Sequence, residues 1–371
     1  MSVAVIGGGV VGLTAAHRLA TAGRSVVVVD PAPRTGGGSW VAAGMLAPVT
    51  EAWLGEEAVL ALGTAALDAW EPFARELGGD IGLRPHGTLA VAFDAAEAAD
   101  LRRLADFLES RGRAVRRLTG RELRALEPGL GAVRSGLDVP GDLSVDTRKL
   151  LTRLDAACRA AGVRFVDRRA VGLVPGGVLL DDPGDPENPE NSTVDCDAVV
   201  VAAGAWSRDL HPALADLVRP VKGEVLVLRA RSRSLPPPTR TVRAHVDGRS
   251  VYLVPRAGGH LVVGATQQDV GFDTEVTAGG VADLLADAER VLPGVRDYEL
   301  VEAAAGLRAG SRDNLPLVGV LEPGVVVATG HHRNGVLMAP LTAEAVAALV
   351  LGGPVPGPVA AAAPSRFGGV V

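Results

Sequence analysis

"VAVIGGGVVGLTAAHRLATAGRSVVVVD", Val3 to Asp30, is the stretch whose reading decides the fold. Val3 to Ile6 is a short apolar run bounded by glycines, the pattern of a buried parallel strand. Gly7, Gly9 and Gly12 stand in a G-x-G-x-x-G frame. In such a frame the first glycine permits a tight turn, the second lets the backbone approach a pyrophosphate, and the third lets the next helix pack closely on the strand. Val10 and Val11 open that helix, which is predicted to run to about Ala22 with Gly23 as its cap. Ser25 to Val29 reads as the second strand. Asp30 ends it, 18 positions after Gly12, where an acid accepts ribose hydroxyls. Strand, helix, strand and acid together specify a dinucleotide site. They do not separate NAD from FAD.

The rest of the composition narrows the class. The chain has 371 residues, enough for two domains, and 47% are hydrophobic against 22% charged, an ordinary globular balance. A net charge of -6 gives no reason to expect nucleic acid or an anionic membrane surface as partner. Two cysteines, Cys158 and Cys196, are too few for a disulfide framework and fit a reducing cytoplasm. No apolar run is read as reaching transmembrane length, and no basic leader precedes the first strand, so a cytoplasmic protein is expected.

Further along, "TGGGSWVAAGMLAP" (Thr35–Pro48) is too glycine-rich for an ordinary crossover helix. Helices are expected over Glu56 to Leu77, from a capping box at Asp94-Ala-Ala-Glu97 to about Arg111, and from a second box at Thr119 to Glu122 as far as Pro128. Others are expected over Asp146 to Ala161 and Val281 to Val291. "DDPGDPENPENST" (Asp181–Thr193) reads as an exposed hairpin tip. "DAVVVAAGAWS" (Asp197–Ser207) reads as a buried strand and glycine turn, and Pro220 to His260 holds several strand-like runs, a sheet of a different type. "VVVATGHHRNGVLMAPLTAEAVAALVLGG" (Val325–Gly353) returns to strand, turn and helix. The expected architecture is α/β plus α+β: a discontinuous Rossmann-type nucleotide domain (1–80, 141–215 and 303–353) with an inserted antiparallel-sheet substrate domain (81–140 and 216–302). A tail over 354–371 is expected to be poorly ordered at its end.

The motifs "VIGGGVVGL", "SWVAAGMLAP", "VVVAAGAWS", "PVKGE", "VYLVPR", "VVGAT", "GLRAGSRDNLPLVG" and "ATGHHRNGVLMAPLT" occur in this order along nearly the whole chain. Together they resemble the D-amino-acid oxidase family of FAD amine oxidoreductases, of the GR2-like type, and within it the glycine oxidases of thiamine biosynthesis. Small departures are His332 where an aromatic is common, Gln267 and Gln268 where acids are frequent, and Ser250 where a related enzyme has histidine. The resemblance implies non-covalent FAD on the glycine loop, since neither cysteine lies in a motif tied to covalent flavin. It implies that Ser39, Ala43, Gly44 and Met45 lie near the phosphates and isoalloxazine. Val171 would meet the adenine end, Gly204 and Trp206 would approach the cofactor, and His332, Arg333, Asn334, Gly335, Val336 and Leu337 would lie at the flavin's pyrimidine edge.

The chemistry implied is hydride transfer from an amine Cα to flavin N5. The opening of the last helix would stabilise the resulting negative charge. Arg308, in "GLRAG", resembles the family's carboxylate-binding arginine, and a guanidinium fork matches a carboxylate. Tyr252, one of only two tyrosines, would add a phenol hydrogen bond, and Arg333 would line the same side. No catalytic base is assigned, because solvent can take the amine proton. His86, His211, His245, His260 and His331 are read as structural or surface groups, and no metal-ligand spacing is present. The resemblance further implies glycine and other small amines with O2 as substrates, a homotetramer, and a functional link to thiazole synthase. Rival readings are D-amino-acid or sarcosine oxidase, or a dehydrogenase.

Overall fold

The computed structural model describes residues 1–32, 36–181 and 192–368. The polar stretch at 182–191 and the last three residues of the tail lie outside these. The strand Ser2–Ile6, the helix Val10–Thr21 and the strand Ser25–Val29 form the opening unit, and Gly23 closes the helix with φ +78°. Ser2–Ile6 is central to a six-stranded sheet, with Ser25–Val29 and Arg164–Val166 to one side and Ala198–Val201, Val325–Thr329 and Leu317–Glu322 to the other. All pairs are parallel except the last, where Leu317–Glu322 runs antiparallel on the edge. The strands are nearly all Val and Ala because helices cover one face and other structure the other. On one side lie the first helix, Glu57–Asp68, Thr147–Ala160 and Gly335–Leu351. On the other is a small antiparallel sheet of Ala170–Val174, Gly177–Leu180 and Thr193–Asp195.

The second sheet has eight strands in the order Glu299–Gly310, Arg219–Arg229, His260–Gly264, Arg249–Pro255, Thr241–Val246, Thr88–Ala92, Ser135–Val139, Arg116–Thr119. It is antiparallel except that Thr88–Ala92 runs parallel to Thr241–Val246. Glu299–Gly310 pairs along its length with Arg219–Arg229, so the strand carrying Arg308 belongs to this sheet. The helix Ala278–Val291 packs on one face through Leu284, Ala288 and Val291.

Several local expectations meet a refinement. The 56–77 helix is two helices, Glu57–Asp68 and Trp70–Leu77, divided at Ala69; Trp70 is buried and its Nε1–H donates to the carbonyl of Leu337 at 2.8 Å. The box at Thr119 and Glu122 is reciprocal. At Asp94 the cap accepts from the Glu97 N–H, but the Glu97 carboxylate accepts from Phe93 N–H instead of from the cap's own amide. The tail is packed as far as it is described: two 3₁₀ turns, Gly357–Ala362 and Pro364–Phe367, bury Val359 and Ala362. Contrary to the reading of apolar runs, His332–Leu351 is long and apolar enough to cross a membrane by length and composition. Its windows are diluted by Pro340, Thr342 and Glu344, so no single apolar block stands out. It is the central core helix, packed against the first helix and Glu57–Asp68.

Candidate active site

The carboxyl ends of the parallel strands and one face of the eight-stranded sheet enclose a cleft of about 610 Å³. Ligands of open α/β sheets bind outside the carboxyl ends of their strands. One end of this cleft is main chain. Gly7, Gly9, Val10, Val11, Asp30, Ser39, Ala43, Gly44 and Met45 line it, as do Val171, Gly204 and Trp206. Gly7 has φ +114°, and a Cβ there would sit 2.3 Å from the carbonyl oxygen of Ala202. Gly12 lies behind the wall, where a Cβ would meet the oxygen of Gly7 at 1.9 Å. It serves helix-to-strand packing and does not face the cleft. Ser39 accepts from Val10 N–H at 3.0 Å, bracing the first helix turn. Both oxygens of Asp30 accept backbone amides, from Gly8 at 2.6 Å and from Ala32 at 2.8 Å. The acid thereby holds the loop as well as facing the cleft.

The other end is side chain. Tyr252 and Arg308 both line the cleft from the eight-stranded sheet, on strands that are not neighbours. Two glycines on the intervening strands make room for them. A Cβ at Gly264 would lie 2.5–2.6 Å from the Tyr252 ring and hydroxyl, and one at Gly223 would lie 2.5–2.6 Å from the Arg308 guanidinium. Both glycines stand in motifs of the sequence, "VVGAT" and "PVKGE", but their purpose needs the register, which sets Gly264 opposite Tyr252 and Gly223 two residues along the strand from Val221, the partner of Arg308. Arg308 donates through Nη1 to the carbonyls of Thr266 at 3.2 Å and Lys222 at 3.5 Å, its side chain also bonds that of Tyr252, and it pairs with no carboxylate among the described residues. Burial raises the Tyr252 phenol above its usual pKa, and Arg308 pulls the other way.

Arg333 lines the cleft too, but its charge is committed. Its Nη2 pairs with Glu56 at 2.6 Å and donates to the Glu51 carbonyl at 3.2 Å, while its guanidinium stacks on Trp53 at 4.7 Å. His332, Gly335 and Val336 also line the cleft. Asn334 and Leu337 do not. Three residues apart, they share the helix face turned towards Glu57–Asp68, where they line a small separate hollow with Gly63. His331 bonds Thr342 through Nε2 at 3.0 Å, and burial pushes its imidazole down to about 4. Arg256, which sequence reasoning passed over, donates to the carbonyl of Ala43 and fixes the turn before Met45. Its burial lowers its pKa to about 10.

Comparisons with known proteins decide the family and its cofactor. The model of the DAO family, "FAD dependent oxidoreductase", matches residues 2–349. The chain belongs to the DAO family of FAD dependent oxidoreductases. It is 35% identical to a glycine oxidase of Geobacillus kaustophilus over 361 residues, 94% of this chain and 92% of that protein. It is 33% identical to a bifunctional protein ThiO/ThiG of a Nostoc species over 94% of this chain, spanning about half (52%) of that longer protein. The crystal structure of the Geobacillus kaustophilus glycine oxidase superposes with a TM-score of 0.88 at 33% identity, covering 98% of both chains.

FAD is therefore the cofactor of this DAO-family chain, and the cleft fits it. Gly9 lines the wall with no backbone atom within 4 Å of where its Cβ would stand, so only the lack of a side chain keeps that approach open. Gly7 to Val11, Asp30 and Ser39 line the cleft where main chain lies closest to its surface.

Proposed function

We propose that this chain oxidises glycine, releasing the imine that hydrolyses to glyoxylate and ammonia. The observation that carries the reading is the Arg308 guanidinium. It lines the cleft beside Tyr252, which it bonds, spends only Nη1 on main-chain carbonyls and has no carboxylate partner among the described residues, which leaves its charge for a carboxylate that enters. The names of the relatives, glycine oxidase and ThiO, support a small amino acid as the group it receives.

FAD, when bound, supplies acceptance of a hydride from the amine carbon and return of the electrons to O2. This chain's residues do the rest. Arg308 holds the substrate carboxylate by two hydrogen bonds, and the Tyr252 hydroxyl adds a third. With the carboxylate fixed, Cα is held to one position in the cleft, and fixed orientation of this kind lowers the barrier. Tyr252 stays a neutral donor, because burial raises its phenol further above neutrality. Arg333 is held by Glu56 and serves as wall and charge, not as the carboxylate's first partner. The amine proton leaves to solvent before the hydride does. The imine is proposed to feed thiazole formation in thiamine biosynthesis. The support for this is the joining of ThiO with ThiG in single polypeptides among the relatives.

The test is anaerobic mixing of the yellow holoenzyme with glycine, sarcosine, D-alanine and D-proline, followed by admission of air. Bleaching by glycine and stoichiometric peroxide on reoxidation are expected. Bleaching by D-proline but not glycine would assign a different amine to the same cleft.

A further inference from the structure

Among the described residues lining the cleft, His332 is the side chain whose polar atoms are all buried and all without a partner: neither Nδ1 nor Nε2 has a hydrogen bond. Its backbone is in the left-handed region, with φ +48°, between the strand Val325–Thr329 and the last helix. A non-glycine residue held there is strained, and such strain gathers at ligand clamps. Buried polar atoms without partners carry a desolvation cost that a bound group can relieve. The ring therefore points to something that arrives.

The charges around it say what. Arg308, Arg333 and Arg219 all act on the ring, and burial with their charge pushes its imidazole down to about 3. His332 is neutral throughout the physiological range, with one N–H and one lone pair. The same arginines oppose an ammonium beside the ring as they oppose an imidazolium. They favour the neutral amine, the form that can lose a hydride from its carbon. Carboxylate oxygens already have the guanidinium and phenol, so the group left for the imidazole lone pair is the amine N–H. We propose that His332 recognises the substrate's amino group by accepting a hydrogen bond from the neutral amine, so that Arg308 and His332 hold the two ends of one small amino acid. The proposal rests on the amino-acid reading above. His332 moves no proton in it: the zwitterion gives its ammonium proton to water on entry, and the ring only bonds the amine that results.

The test compares two ligands on the holoenzyme: glycine, and acetate, which has the carboxylate and lacks the amine. Glycine affinity is read from the concentration dependence of anaerobic bleaching, and acetate affinity from perturbation of the flavin absorbance. In His332→Phe, glycine binding is expected to weaken about five- to tenfold, the worth of one hydrogen bond, while acetate stays within about twofold. His332→Gly suits the positive φ, removes the ring, and should show the same selective loss if the phenylalanine variant does not fold. Equal weakening of both ligands, or no weakening of either, overturns the proposal. So does a shifted absorbance of the ligand-free variants with an unchanged glycine-to-acetate ratio, which would give the ring to the cofactor. A wild-type holoenzyme that binds acetate but is not bleached by glycine overturns the glycine reading itself, and this inference with it.

Discussion

The two ends of the cleft are built in opposite ways. The glycine-loop end is built mainly on backbone of one short unit, glycines, a helix start and an acid within Val3–Asp30 with Ser39 as a brace, and is completed by Val171, Gly204 and Trp206. The substrate end is made of side chains from far apart in sequence. Tyr252 and Arg308 reach it from separate strands, and Arg333 reaches it from the other sheet's last turn. Main-chain sites tolerate no added atoms but are indifferent to most side chains. Side-chain sites depend on what each residue is paired with. Arg308 and Arg333 show this, since both line the cleft and only one has its charge uncommitted.

The strongest break of this comparison lies inside the glycine loop. Gly12→Val should give no folded protein, because its Cβ would stand 1.9 Å from a backbone oxygen that cannot move away. Gly9→Val should fold and come out colourless. Its Cβ meets only Ser39 Oγ, at 3.1 Å, and the added methyls occupy the cleft. Thermal unfolding and flavin content separate the two. A yellow Gly9→Val would break the main-chain account of that end.

At the other end, Arg308→Ala should keep its flavin and lose about 30-fold to a few thousand-fold in kcat/KM for glycine, corresponding to roughly 2–5 kcal/mol for one member of a buried charge pair. A value within about threefold of wild type would place the carboxylate elsewhere, with Arg333, released from Glu56, next in line. Gly223→Ala sharpens the same point without touching a charge. The new methyl displaces the Arg308 fork, and a misplacement of about 1 Å costs on the order of 100-fold in rate. Thermal stability should change little, because the atom displaced is the end of a flexible side chain.

The fold also carries a titration, at a buried carboxyl that does not line the cleft. Asp142 is fully buried, accepts from the Thr50 hydroxyl at 2.7 Å, and burial raises its carboxyl to about 7. Its folded pKa lies above its unfolded one, so the native state retains a proton that the unfolded chain releases. Stability is then lost as pH rises from about 4 to about 7, by at most about 1.4 kcal/mol per pH unit. Asp142→Asn should flatten that slope in unfolding measured across the window, and an unchanged slope would show that the group is not the source. The smallest effect belongs to Tyr252→Phe. One neutral hydrogen bond is lost and the ring still fills its place beside Gly264, so glycine kcat/KM should fall by about fivefold.

Much of this protein is legible in its sequence. Val3–Asp30 states its own strand, helix, strand and acid because each signal is local. A glycine frame, an apolar run and a charge at the next strand's end need nothing distant to be understood. The Thr119–Glu122 box is local for the same reason. The family motifs named Arg308 and Tyr252, but not the role of the glycines packed against them. Gly223 and Gly264 become meaningful only when strand pairing brings one residue's missing side chain against another's large one, directly across the pair for Gly264 and diagonally for Gly223. Nor does a sequence state which arginine is neutralised. Glu56 lies 277 positions before Arg333 and meets it only through the packing of the loop at Trp53 against the last helix's start. The third decision of tertiary structure is the unpartnered ring of His332. A histidine in a turn is ordinary until burial removes its water and three arginines hold it neutral. Local chain geometry was written in neighbouring residues. Desolvation and charge pairing were not, because they depend on distances in space that only the folded chain sets.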